Sequence, residues 1–180
     1  MTIAQAPDLL YPLTVFRKRD HRPLPVYEAV DAEAVPEPYR TLLVHKGDMT
    51  SRLEAHHGSP LKLRVLHRSH TPEVYLREVL LCTANDELPV EYGAIEIDLA
   101  TFAEPLRSQI VEGRLPLGGL LNSHGFKYRS RPRGFLRVLP DLTLCRHFGV
   151  EAASAFWGRS NVLLGADDRV FAQIVEVLRP

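Results

Sequence analysis

The chain has 180 residues, 45% of them hydrophobic, with 22 basic and 22 acidic side chains and a formal net charge of zero. That length can bury one core, so a single domain over residues 1–180 is expected. A chain with no overall charge has no field to draw a polyanion, which argues against a nucleic-acid partner. The opening MTIAQAPDLLYPL has no basic segment followed by an unbroken apolar run, and no later stretch approaches the roughly 18 apolar residues of a span, so the chain reads as cytoplasmic with no membrane partner.

In chain order, prolines gather first, at Pro7, Pro12, Pro23, Pro25, Pro36 and Pro38. They mark residues 1–38 as an N-terminal arm that wraps the surface or trails as a tail. Residues 39–57, YRTLLVHKGDMTSRLEAHH, read as two helical pieces, broken at Gly47 with Asp48 placed to cap the second. Three strands follow, at LKLRVLHR (61–68), EVYLREVLLCT (73–83) and PVEYGAIEIDL (89–99), the last two joined by a hairpin at NDELP. Thr101 and Glu104 have capping-box spacing and open a helix that Gly113 closes. After LPLGGLL, the basic run KYRSRPRG (127–134) reads most simply as a solvated loop. FLRVLP, a helix near HFGVEAASAFWG (147–158) and a last hairpin of NVLLG and RVFAQIVEVLRP about a turn at 166–168 complete the chain. Strands dominate, so the fold class is α+β on an antiparallel sheet.

Two charges stand out. Residues two apart share a strand face, so Arg77 lies with Tyr75, Val79 and Leu81, and Glu176 lies with Ala172, Ile174 and Leu178. A charge in an apolar stripe costs several kcal/mol of desolvation unless it is paired. Arg77 and Glu176, or Arg77 and another carboxylate, can pair with each other; a bulge can turn one to solvent; or the two mark a ligand site, for which the planar fork of arginine suits a carboxylate.

The same region carries a family likeness. DMT (48–50), LE (53–54), YLREVLL (75–81), PLG (116–118), WGR (157–159) and the terminal VEVLRP (175–180) occur in the order found in the chorismate pyruvate-lyase family, which the chain resembles from about residue 39 onward, closest to its divergent branch. The resemblance implies an α+β domain in which one antiparallel sheet, with helices packed on one side, encloses an internal ligand cavity. It implies a lyase that eliminates pyruvate from chorismate to give 4-hydroxybenzoate or a close analogue, with no cofactor and no metal. Arg77 would grip the ring carboxylate, Met49 and Leu117 would add backbone N–H groups to it, and Glu176 would meet the ring hydroxyl, as ionised acceptor or as acid. Arg159 is the first candidate for the pyruvyl carboxylate, with Lys127, Arg129, Arg131 and Arg133 behind it. The basic, lengthened segment after PLG and the N-terminal arm depart from the family pattern.

Other constellations carry less. His67 and His70 are three apart in a strand and face opposite sides, so they make a poor metal pair. His56 and His57 suit a helix C-terminus, Ser51, Ser123 and Ser160 lack a nucleophile-elbow setting, and Cys82 and Cys145 have no ligand spacing and read as buried hydrophobes. The alternative function is a non-catalytic module of the same fold that binds a small acid, like the effector domains of some bacterial transcription regulators. Such a regulator calls for a winged helix upstream, for which thirty-odd proline-rich residues are too few. A third is an inactive relative that keeps the cavity for a benzoate.

Overall fold

The computed structural model describes residues 8–139, 141–151 and 154–180. The first seven residues of the opening read above for a leader lie outside these, as do Pro140 at the end of FLRVLP and two positions of the helix expected over 147–158.

Three strands follow one another where alternation places them: β2 (Leu61–His70), β3 (Val74–Thr83) and β4 (Pro89–Asp98). They pair as antiparallel neighbours, with Arg77 opposite Ile95 and Val79 opposite Gly93. The hairpin β6 (Phe156–Leu164) and β7 (Val170–Leu178) adds to the other side of β4, and β5 (Arg129–Val138) and β1 (Tyr27–Val30) extend it. The result is one seven-stranded sheet in the order β1-β5-β6-β7-β4-β3-β2.

Two expectations are corrected here. The basic run is not a loop: Arg129 to Gly134 are the first half of β5, with Ser130 buried inward. The register shifts between Pro132 and Gly134, and such a bulge accommodates the ladder donor that proline lacks. The helix expected over 147–158 ends at Gly149, which takes the left-handed conformation, and Phe156 to Gly158 belong to β6. That helix is α6 (Leu142–Phe148), capped at its start by the Asp141 side chain accepting from the Leu144 N–H.

Helices α2 (Tyr39–Leu43), α3 (Met49–His57), α4 (Leu106–Glu112) and α5 (Leu117–Ser123) form the layer over the sheet face that carries Arg77. Asp48 caps α3 as its position predicts, accepting from the Ser51 N–H. Gly113 closes α4 at φ 68°, where any side chain would be strained. The capping box does not form: Thr101 belongs to a short 3₁₀ turn, and Glu104 accepts from Ser108 instead.

The opposite face carries Leu80, Cys82, Tyr92, Leu136, Val175 and Val177. Against it pack α6 and a further helix, α1 (Leu13–Arg19), from the proline-rich segment. That segment is therefore more than a surface arm. Leu9, Leu10, Leu13 and Phe16 are buried in the core, and Arg17, with no exposed surface, donates to Asp141 at 3.1 Å and to the Pro23 carbonyl. Proline-free spacing between residues 13 and 19 leaves room for two turns of helix, which the density of prolines around it conceals.

Candidate functional site

Between the sheet and the layer of α2 to α5 lies a cavity of about 70 Å³. One water needs about 10–15 Å³ on the same measure, so the space suits a small ligand. Its floor is sheet: Arg77 and Val79 from β3, Glu91, Gly93 and Ile95 from β4, Ile174 and Glu176 from β7, Arg159 and Asn161 from β6. Its roof includes Met49 and Leu117. All five residues singled out in the sequence, Met49, Arg77, Leu117, Arg159 and Glu176, thus line one cavity although up to 127 positions separate them (176 − 49).

The charges are arranged differently from the simplest expectation. Arg77 does not pair with Glu176. Its side chain is buried, no carboxylate lies within salt-bridge distance among the described residues, and its Nε and Nη1 have no hydrogen-bond partner. The ring of Tyr75 lies beside it, with its centroid 5.8 Å from the guanidinium carbon; the Tyr75 hydroxyl forms no hydrogen bond of good geometry and only partly offsets the cost of burying the cation. Burial pulls the guanidinium below the usual arginine range. A desolvated cation without a counter-charge is costly, by several kcal/mol.

Glu176 is instead paired with Arg159, directly across the β6–β7 ladder, in a buried salt bridge. Arg159 also donates from Nη1 to the Leu43 carbonyl at 3.1 Å and to the His45 carbonyl at 3.3 Å, which ties the link between α2 and α3 to the sheet. Burial first, and then the Arg159 charge, hold the His45 imidazole down at about 4. Arg159 thus lines the cavity as a paired cation, with its Nε on Glu176 and its Nη1 on backbone carbonyls. The remaining candidates point elsewhere: Arg129 pairs with Asp168, Arg133 bonds Gln173 and the Asp8 carbonyl, and Lys127 and Arg131 are exposed.

Met49 and Leu117 open α3 and α5, where first-turn N–H groups have no helical acceptor. Asp48 is engaged between them, accepting from Ser51 and from Asn122 Nδ2 at 3.3 Å. Gly118 makes this possible, because a β-carbon there would collide with the Asp48 carboxylate.

Sequence reading missed Glu91. It alternates onto the face of Gly93 and Ile95, so the test that isolated Arg77 would have isolated it too. Glu91 is buried, and burial together with the Glu176 carboxylate pushes its pKa well above the usual range. Asn161 and Ser130, which exchange hydrogen bonds at 2.9 and 3.2 Å, complete the polar lining.

On the other face of the sheet, Glu78 answers the second charge of the LRE motif. It accepts from Tyr92, from Arg22 at 3.1 Å and meets His67 Nδ1 at 2.6 Å. Asp20, His67 and Glu78 bring three ligand atoms within 4.8 Å, but Arg22 bonds both carboxylates there. This is an ion-pair network that ties the N-terminal segment to β3.

The architecture is the chorismate lyase-like α+β fold: an antiparallel sheet with a helical layer over one side and a cavity between them. Solved structures of this shape include PhnF from Mycobacterium smegmatis (TM-score 0.58, 17% identity, covering 76% of this chain and 65% of that one) and its separate effector domain (0.55, 17%, 74% and 88%). A third is the ligand-binding domain of a putative GntR-family transcriptional regulator from Bordetella bronchiseptica (0.51, 15%, 66% and 85%). The chain thus spans less than two thirds of the length of whole PhnF, and at these identities the likeness is one of fold. No family model and no curated protein sequence matches the chain. No helix among the described residues is long and apolar enough to cross a membrane.

Proposed function

We propose that the chain is a ligand-binding module whose cavity takes a small carboxylic acid of about one ring, with Arg77 gripping the carboxylate and the Met49 and Leu117 amides beside it. One observation carries this reading: Arg77 is a buried cation whose Nε and Nη1 are unpartnered in a cavity. An anion entering there recovers the desolvation cost that folding leaves unbalanced. The kinship of fold with regulator effector domains supports binding without chemistry.

Turnover of chorismate is the second reading, and the ordered motifs from DMT to VEVLRP favour it. In that reaction the bond between the ring carbon and the enolpyruvyl oxygen breaks, the hydrogen on the neighbouring hydroxyl-bearing carbon leaves as a proton, the expelled enolpyruvate takes up a proton at its methylene carbon to become pyruvate, and the ring becomes aromatic. Arg77 would hold the ring carboxylate and Glu176 would meet the hydroxyl, so that positioning and electrostatics carry the effect. The commitment of Arg159 to Glu176 weighs against it, because the second carboxylate of chorismate then has no free buried cation in the lining among the described residues.

Incubating the purified protein with chorismate, following pyruvate and hydroxybenzoate by chromatography, separates the two. Calorimetric binding of 4-hydroxybenzoate without pyruvate release supports the module; stoichiometric release that Arg77→Ala abolishes establishes the lyase. If the protein neither binds hydroxybenzoate nor consumes chorismate, both readings fail.

A further inference from the structure

Glu91 is unexplained by either reading. Its side chain lines the same cavity as Arg77, it is almost entirely buried, and its Oε2 is a buried atom with no hydrogen-bond partner among the described residues. Structural carboxyls at such depth are normally paired, as Glu176 is with Arg159 and Glu78 with Arg22. Gly93 leaves the floor beside it open: a β-carbon there would stand 3.3 Å from Glu91 Oε1. The carboxyl is thus an unpaired polar group in the cavity wall.

We infer that Glu91 is the hydrogen-bond donor of the cavity, and that the ligand therefore carries, besides its carboxylate, an oxygen that accepts a hydrogen bond. The inference rests on the reading of Arg77 as a carboxylate grip. Burial first, and then the Glu176 carboxylate, favour the neutral, proton-bearing form of Glu91; Arg159 opposes them less strongly than Glu176 acts. A neutral carboxylic acid donates through its O–H, whereas Glu176, paired with Arg159, is placed to accept. The cavity thus offers a cation, a neutral donor and an acceptor. Arg77 faces Ile95, and Glu91 lies four residues along the same strand, so the two Cα positions are about 14 Å apart. The two long side chains and a single substituted ring can span that distance together. The ligand class is an oxygen-substituted ring monocarboxylate, not a bare aliphatic or unsubstituted aromatic acid.

The test compares 3- and 4-methoxybenzoate with the matching ethylbenzoates, pairs that differ by one acceptor oxygen, in calorimetric titrations of the full chain and of Glu91→Gln, Glu91→Leu and Arg77→Met. For at least one pair, the native chain should prefer the methoxy acid by roughly five- to tenfold. Glu91→Gln, which keeps a donor, should retain that preference and Glu91→Leu should lose it while still binding the ethyl acid. An unchanged methoxy-to-ethyl ratio in Glu91→Leu for both pairs, or no preference in the native chain, overturns the role of Glu91. A native chain that binds none of the four acids, or an Arg77→Met variant that binds them as tightly, overturns the Arg77 reading itself. If Glu91→Leu does not fold, Glu91→Met, which keeps the side-chain length but offers no donor, takes its place and should likewise lose the preference.

Discussion

At the scale of single residues, three charges in one cavity have three different fates, and each gives a different mutational signature. Arg77 is desolvated and unpaired, so removing it relieves the fold: Arg77→Met should raise stability to chemical denaturation by about 1–3 kcal/mol. Arg159 is desolvated and paired, so removing it strands Glu176. Arg159→Met should cost about 3–5 kcal/mol in a urea titration, and the double change with Glu176→Gln should recover much of that loss. Glu91 is desolvated and unpaired, and burial holds its pKa well above the usual carboxyl range. Its folded-state pKa stands above the unfolded value of 4.5, so the native state keeps a proton that the unfolded state releases. Its contribution is fully present below pH 4.5 and declines as pH rises toward the folded pKa, so Glu91→Gln should raise Tm at pH 8 and leave it unchanged near pH 4. The alternation of YLREVLL revealed the first of these charges because strand faces are readable from period two. Which carboxylate each arginine takes was not readable: the last hairpin was expected from NVLLG onward, but the helix expected over 147–158 hid the extension of its first strand through WGR, which sets Arg159 opposite Glu176.

At the scale of elements, the link between α2 and α3 and the N-terminal segment are each held by one buried arginine. His45 lies beside Arg159, with a folded pKa of about 4 against 6.5 when free. A depressed histidine stabilises fully above pH 6.5 and loses that contribution as pH falls toward 4, so the slope of Tm against pH over this window should flatten in His45→Gln. Arg17 holds α1 to Asp141, which also caps α6. Asp141→Asn keeps the cap but weakens the pair, and should cost about 2–3 kcal/mol, with amide exchange rising first in residues 9–30. Strands β2, β3, β4 and β7 were legible because each is an uninterrupted alternation or apolar run. The first half of β5 was not, because its arginines and Pro132 resemble a loop; it is a strand because β6 pairs with it and a bulge absorbs the proline. α1 was hidden in the same way, by prolines that bracket seven helical residues.

At the scale of the whole molecule, one antiparallel sheet separates two unlike faces. One is an apolar core under α1 and α6, with ion pairs at Glu78 and between Arg17 and Asp141; the other holds the cavity. The sheet assembles the floor from four strands, so Arg77, Glu91, Glu176 and Arg159 converge without adjacency in sequence. Their separate lines in the chain are what made Glu91 easy to overlook. A fold of this kind puts its uncompensated charge where a ligand can reach it, and stability and binding then oppose each other at Arg77. Thermal denaturation of the native chain and of Arg77→Met, each with and without 4-hydroxybenzoate, reads both sides of that opposition at once. The native Tm should rise by several degrees at saturating ligand, while Arg77→Met should start at an equal or higher Tm and show no shift. If Arg77→Met instead starts lower and the native chain shows no shift, Arg77 is structural and the cavity is not an anion site.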